Sequence, residues 1–399
     1  MGSAVFVAGV GVISAIGRDV KACLVSLQAG EAGIGHMQYL DSEHKGILPV
    51  AEVKASNRQL ASCTGFDEHI SRTALLSMSA AAEALGDAAI PGLSGLRTGF
   101  ISANTVGGMD KTEHFFEDYL RDSKKGRLRE VIHHECGTIT ELVSERLGIR
   151  DFVTTISTAC SSSANSIALG SRLIEQDILD LVVAGGTDAL TRFTLNGFNT
   201  LMILDKALCK PFDQDRKGLN LGEGAGYLVL ISERLAGSLG RHLYCQLSGH
   251  CNANDAYHQT ASSPQGTGSL LAMKGALEKS RLQPQDISYI NLHGTGTLNN
   301  DLAEGTAIRQ LFEPAYPPMS STKSFTGHTL GASGAIEAVF SVLAIREGII
   351  YPNLRLEKPM KEFPFAVERN FKKDQSVEHV LSNSFGFGGN CTSLVFSTY

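Results

Sequence analysis

The chain has 399 residues, 43% of them hydrophobic and 19% charged, which is enough for a large buried core or two packed domains. A formal net charge of -6 argues against a globally basic nucleic-acid surface, and no apolar run approaches the roughly 20 residues that cross a bilayer, so a soluble protein is predicted. The eight cysteines (Cys23, Cys63, Cys136, Cys160, Cys209, Cys245, Cys251 and Cys391) form no C-x-x-C pair, which argues against a zinc site or disulfide framework and for a reducing cytoplasm.

The N-terminal "AVFVAGVGVISAIG" lacks the basic start and cleavage site of a signal peptide and reads as a buried strand. The Met-Gly start makes no myristoylation site, because Phe6 stands where Ser or Thr is required. Gly9 and Gly11 begin a G-x-G-x-x-G pattern, but Ser14 takes the third position and no acidic residue ends a second strand. A tight turn in a buried sheet is therefore expected there, in preference to a dinucleotide site.

Helical "RTALLSMSAAAEALGDA", strand-like "RTGFISANTV", the basic run "SKKGRLR", strand-like "DFVTTIST", helical "ANSIALGSRLIEQ" and strand-like "LDLVVAGGTDAL" follow. After "GAGYLVLIS" the chain turns polar, and alternation resumes with "SLLAMKGALEKS", "ISYINLHGTGT", "GASGAIEAVFSVLAIREGI" and "HVLSNSFGFGG". The pattern predicts an α/β protein with largely buried sheets, in two halves of residues 1–240 and 241–399 that share no alignable repeat. No glycine motif continues as a P-loop.

In "ISTACSSSANSI", Cys160 falls between a strand and a helix. Free N–H groups and the helix dipole there are expected to lower its pKa, and its own N–H can serve an oxyanion. On this segment alone, a buried structural cysteine at a serine-capped helix start remains an equal alternative. The second half supplies partners: His293 in "YINLHGTGTLNNDLAEG", and Lys323 and His328 in "SSTKSFTGHTLGASGAIEA", ahead of a helix carrying Glu337. All three lie in Gly/Ser/Thr turns after strands, where open α/β sheets place their sites.

From "VFVAGVGVISAIGRDV" through "STACSSS", "VVAGGTDAL", "KPFDQDRKGLNLGEGAGYLVL", "NDAYHQT", "HGTGTLNND" and "STKSFTGHTLGASGA" to "NSFGFGGN", the chain resembles the elongating type II β-ketoacyl-acyl-carrier-protein synthases of the thiolase-like superfamily. The resemblance implies two similar α/β halves in a five-layer αβαβα stack, a homodimer, and a 3-oxoacyl synthase acting by decarboxylative Claisen condensation. Cys160 would carry the acyl chain, and the N–H groups of Cys160 and Phe387 would hold its oxyanion. His293 and His328 would donate to the malonyl thioester carbonyl, Lys323 would bias their electrostatics, and Glu337 would bond Lys323 or a water. Asp301 and Glu304 would tie the His293 loop, Thr295 and Thr297 would contact the phosphopantetheine arm, and "GFGG" around Phe387 would gate the site.

Val106 matches a position lining the acyl pocket, and Arg72, Lys124, Lys125, Arg127 and Arg129 are candidates for docking an acidic carrier protein. The resemblance implies no permanently bound cofactor or metal, the phosphopantetheine arm serving as a substrate handle, and acyl- and malonyl-loaded carrier protein as partner, without nucleic acid or membrane. Two departures stand out: "GFGGNC" puts Asn390 and Cys391 where the family usually has threonine and asparagine, and the segment between "FNTLM" and "KPFD" is short. Ordinary fatty acid elongation and a specialised polyene or aryl-primed product are both compatible with this. A non-catalytic chain-length-factor subunit is disfavoured by the joint presence of Cys160, His293, His328 and Lys323.

Overall fold

The computed structural model describes residues 3–240 and 243–399. Among the described residues ten strands form: β1 Val5–Ser14, β2 Thr98–Ala103, β3 Phe152–Ile156, β4 Leu181–Asp188, β5 Gly224–Ser232, β6 Cys245–Asn254, β7 Tyr289–Asn291, β8 Met319–Ser320, β9 His379–Phe385 and β10 Asn390–Ser397. Their order is β3-β2-β4-β5-β1-β6-β10-β9-β7-β8, so the first five strands and the last five repeat one topology in mirrored sequence along the sheet. In each half the outer three strands are parallel and the inner ones antiparallel. The halves join where Phe6 and Val7 of β1 pair with Gln246 and Cys245 of β6. The division predicted at 240/241 falls at residues 241–242, outside the described residues.

Five layers result. The helix Arg72–Ala88 covers the outer face of the first half through Leu75, Leu76 and a row of alanines, against Val183, Tyr227 and Val229. Helices Thr267–Ser280 and Leu298–Phe312 cover the outer face of the second half. Between the half-sheets lie Ser162–Glu175 and Ser333–Glu347, sharing one core with Val10, Val12, Leu228, Val380 and Leu394. Buried along their whole length, β4 and β5 are largely apolar without polar alternation, and Ser333–Glu347 is buried from Ser333 to Ile345. No helix among the described residues is long and apolar enough to cross a membrane.

The glycine pattern near the N-terminus does not form the expected turn. Gly9 and Gly11 lie within β1, and a Cβ on Gly11 would sit 2.1 Å from the carbonyl oxygen of Ala80 and 2.6 Å from the nitrogen of Ala84. On Gly9 it would meet Ala84 O at 2.3 Å and Ala88 N at 2.5 Å. The glycines let the helix Arg72–Ala88 press its backbone onto the strand, a close approach no side chain allows.

The two central helices also cross closely. A Cβ on Gly334 would lie 2.9 Å from both Cβ and N of Ala164. This crossing brings the N-termini of both central helices together, and Cys160 and His328 each precede one of them.

Candidate active site

After β3 the chain turns sharply: Ala159 adopts the left-handed φ of 52°, costly for a residue with a Cβ, and Cys160 follows at the tip. The surrounding serines tie this elbow and do not line the cavity. Ser162 Oγ accepts from Thr158 N–H at 2.8 Å, Ser161 Oγ donates to the Thr158 carbonyl at 2.8 Å, and Ser163 Oγ accepts from Ala335 N–H at 2.9 Å.

Cys160 is buried, with Sγ 3.1 Å from His328 Nε2. Nδ1 of His328 lies 2.9 Å from Ser333 Oγ and accepts from Leu330 N–H at 3.3 Å. Because Nδ1 accepts, the ring proton sits on Nε2, facing the sulfur. His293 is oriented in the same way by another element: the Lys323 ammonium lies 3.3 Å from its Nδ1 and donates to its carbonyl at 2.7 Å. An ammonium only donates, so His293 also carries its proton on Nε2. The two rings cross at 86° with centroids 5.5 Å apart.

Burial, and then the Lys323 charge, hold both histidines well below the ordinary imidazole range, so they are neutral donors. Cys160 runs against expectation. Burial pushes its thiol up to about 11, although Lys323 and the N–H groups of Phe387 and Cys160 pull the other way. Desolvation outweighs the helix N-terminus, so the resting sulfur keeps its proton at neutral pH.

Supporting carboxylates hold the loops. Lys323 ion-pairs with Glu337, whose carboxyl burial raises to about 7 against the pull of Lys323. Glu304 accepts from the N–H groups of His293 at 2.9 Å and Gly294 at 2.8 Å, and burial raises it to about 7. Asp301 accepts from Phe212 N–H at 2.8 Å and Gly296 N–H at 3.2 Å and pairs with Arg216.

The Phe387 N–H is among the groups that pull the Cys160 thiol down, and the Phe387 ring stacks on Phe198 with centroids 5.8 Å apart. A side chain at Gly386 would crowd the elbow, its Cβ lying 3.1 Å from Cys160 N and 3.2 Å from Ser161 N. A cavity of about 210 Å³ joins Cys160, His293, His328 and Phe387 to Thr295 and Thr297, whose hydroxyls are 2.9 Å apart. Met202 and Ile203, from the short segment before "KPFD", line it too, and the strongly exposed Met202 marks its open side.

Three readings need correction or relocation. Arg72 cannot dock a partner: its guanidinium is buried, bound to Glu223 at 2.7 Å, to the carbonyls of Val53 and Ala55 at 3.0 Å and to Asn57 at 2.9 Å. Lys124, Lys125, Arg127 and Arg129 are exposed after the helix Met109–Arg121, and none of them lines the cavity. Val106 is buried in one hydrophobic cluster with Leu190, Leu195, Leu219 and Leu330, and it is not on the cavity wall.

The sequence reading missed Asp188, Ser333 and Lys217. Asp188 accepts from Thr105 N–H at 2.8 Å, Thr105 Oγ1 at 2.6 Å and Gly331 N–H at 2.7 Å, tying the first-half loop to the segment behind His328, and burial raises it to about 6. Its signal was an acid at the end of an apolar strand in "VVAGGTDAL". With both histidines neutral, Lys217 is the one charged side chain on the cavity wall among the described residues.

A twofold-repeated α/β topology, a thiol at the head of one central helix and two neutral histidines from the opposite half define a condensing enzyme of the thiolase-like superfamily. The β-ketoacyl synthase N-terminal domain matches residues 3–236 and the C-terminal domain residues 244–357. The chain belongs to the β-ketoacyl synthase family, whose members are condensing acyltransferases. It is 32% identical to 3-oxoacyl-[acyl-carrier-protein] synthase 2 of Staphylococcus aureus over 407 residues, covering 99% of this chain and 98% of that one. Among solved structures, it superposes on the ishigamide ketosynthase/chain length factor with a TM-score of 0.94 at 29% identity, covering all of both chains. A ketosynthase in complex with its chain length factor from Xenorhabdus doucetiae gives a TM-score of 0.85 at 30% identity, with 100% of this chain and 98% of that one covered.

Proposed function

We propose that this enzyme condenses malonyl-carrier protein with an acyl chain held on Cys160. The observation that carries this reading is the approach of His328 Nε2 to Cys160 Sγ at 3.1 Å beside a second neutral histidine set nearly perpendicular to it. In the first step Cys160 attacks the incoming thioester, the N–H groups of Cys160 and Phe387 hold the oxyanion, and the sulfur's proton leaves with the departing phosphopantetheine thiol. In the second, the two Nε2–H groups bind the malonyl thioester carbonyl, carbon dioxide leaves, and the enolate carbon attacks the acyl group on Cys160. A carbon–carbon bond forms, the Cys160–acyl bond breaks, and the sulfur departs as a thiolate that regains a proton. Neutral donors suit this better than imidazolium, because neither must lose a proton for the oxyanion to form.

The carrier protein named by the Staphylococcus relative supports the same partner here, with Thr295 and Thr297 against its phosphopantetheine arm and Lys124, Lys125, Arg127 and Arg129 as docking charges. No resident cofactor or metal enters this chemistry. A homodimer in a reducing cytoplasm completes the reading, the latter supported by cysteines that are all unpaired. Likeness to two ketosynthase–chain length factor structures favours a second reading, a specialised polyketide ketosynthase over a housekeeping fatty acid enzyme.

Intact-protein mass spectrometry after incubation with acyl-carrier proteins tests the core claim. An acyl adduct that disappears in Cys160→Ala is expected, and an adduct that persists in that variant overturns the nucleophile assignment. A panel of acyl donors with product identification separates fatty from specialised chains, and light scattering tests the dimer.

A further inference from the structure

We propose that Asn390, the residue at which the gate sequence departs from the family pattern, is a positioning residue that sets the spacing between the two oxyanion donors; this rests on the condensing reaction above. Its side-chain and main-chain oxygens hold opposite sides of the hole. Oδ1 accepts from Asn165 Nδ2 at 2.9 Å and Asn252 Nδ2 at 2.7 Å, and from Ser161 Oγ at 2.7 Å through the one hydroxyl proton that Ser161 shares between it and the Thr158 carbonyl. The main-chain oxygen accepts from Gly386 N–H at 2.8 Å. Ser161 directly follows the donor Cys160, and Gly386 directly precedes the donor Phe387.

The orientation of the amide follows from its neighbours. Asn252 Nδ2 also donates to the Cys391 carbonyl at 3.3 Å, which identifies it as nitrogen, so the Asn390 atom facing it is the oxygen. Asn165 is fixed independently, its Oδ1 accepting from Thr392 Oγ1 at 2.8 Å. Donors from the head of the helix Ser162–Glu175 and from β6 thus hold one acceptor at the start of β10, where Asn390 also pairs in register with Asn254 of β6.

An oxyanion hole works through preorganisation, and small displacements of its donors weaken it steeply. The Cys160 N–H rides on the nucleophile elbow and the Phe387 N–H on the gate, two segments more than 200 positions apart in sequence. Asn390 bonds to both through one rigid residue, and the missing side chain of Gly386 lets those backbones touch. Acyl transfer to Cys160 needs this hole, whereas malonyl decarboxylation draws on the two histidines, which Asn390 does not contact.

The test measures single-turnover acylation of Cys160 from acyl-carrier protein, and carbon dioxide release from malonyl-carrier protein, for wild type, Asn390→Ala and Asn390→Asp. Asn390→Ala should slow acylation at least ~10-fold while decarboxylation stays within about threefold. Asn390→Asp, which keeps an acceptor oxygen for the same donors, should restore acylation to within about threefold of wild type. Equal losses in both steps, unchanged acylation in Asn390→Ala, or no rescue by Asn390→Asp overturns the proposal. If Asn390→Ala does not fold, Asn390→Ser replaces it with the same selective loss expected, because its hydroxyl is too short to meet all three donors. Wild-type protein that forms no Cys160 adduct overturns the condensing reading itself, and the two failures are therefore distinguishable.

Discussion

The Lys323 ammonium is clamped between His293 and Glu337: it lies 3.3 Å from His293 Nδ1, donates to the His293 carbonyl at 2.7 Å and pairs with the Glu337 carboxylate. One buried cation therefore sets the tautomer of a histidine and disfavours its protonation.

This arrangement has a signed pH consequence. A cation beside an imidazole destabilises imidazolium, so the wild-type acid limb of malonyl decarboxylation should lie well below pH 6.5, burial being the larger cause and Lys323 the second. Lys323→Met removes the charge, raises the His293 pKa and should move that limb towards neutral pH, with a lower plateau. A limb that stays in place or moves to lower pH would show that Lys323 does not tune His293.

His293→Ala and His328→Ala each delete one of two Nε2 donors to the same carbonyl. Decarboxylation should fall on the order of 10²-fold in either variant, while acylation of Cys160 partly survives. Carbon dioxide release at the wild-type rate in either would remove that histidine from the role.

Arg72 and the exposed basic loop should behave oppositely. Arg72→Ala leaves Glu223 buried without its partner and should cost about 3–5 kcal/mol of stability in denaturant titrations. Charge reversal at Lys124, Lys125, Arg127 and Arg129 should leave the melting temperature nearly unchanged and raise KM for carrier protein, most of all at low salt. Unaltered KM at low ionic strength would clear the loop of any docking role.

Gly11→Ala places a methyl group against the backbone of the helix Arg72–Ala88. A stability loss of about 1–3 kcal/mol or more is expected, without a change in the NADH-binding behaviour that a dinucleotide site would show. A neutral melting temperature would mean that the helix moves aside freely.

Much of this enzyme was legible in one dimension. Alternating apolar strands and alanine-rich helices marked an α/β fold because burial on both faces removes the polar alternation of an exposed sheet. Cys160, His293, Lys323 and His328 stood out because small and turn-forming residues surround each of them, and motif order carried the family. Chemistry confined to a few consecutive residues survives in the string.

What the tertiary structure decided depends on atoms brought from afar. The helix start at Cys160 suggested a lowered pKa, but the desolvation that pushes the thiol up to about 11 is a sum over surroundings from both halves. Arg72 looks like any surface cation until Glu223, 151 residues away, closes on it. The glycines of β1 acquire their reason only when a helix from residues 72–88 lies across them. Sequence determined which groups this protein has to work with, and folding decided which of them lose water, because burial is a property of the whole packed chain and not of any segment.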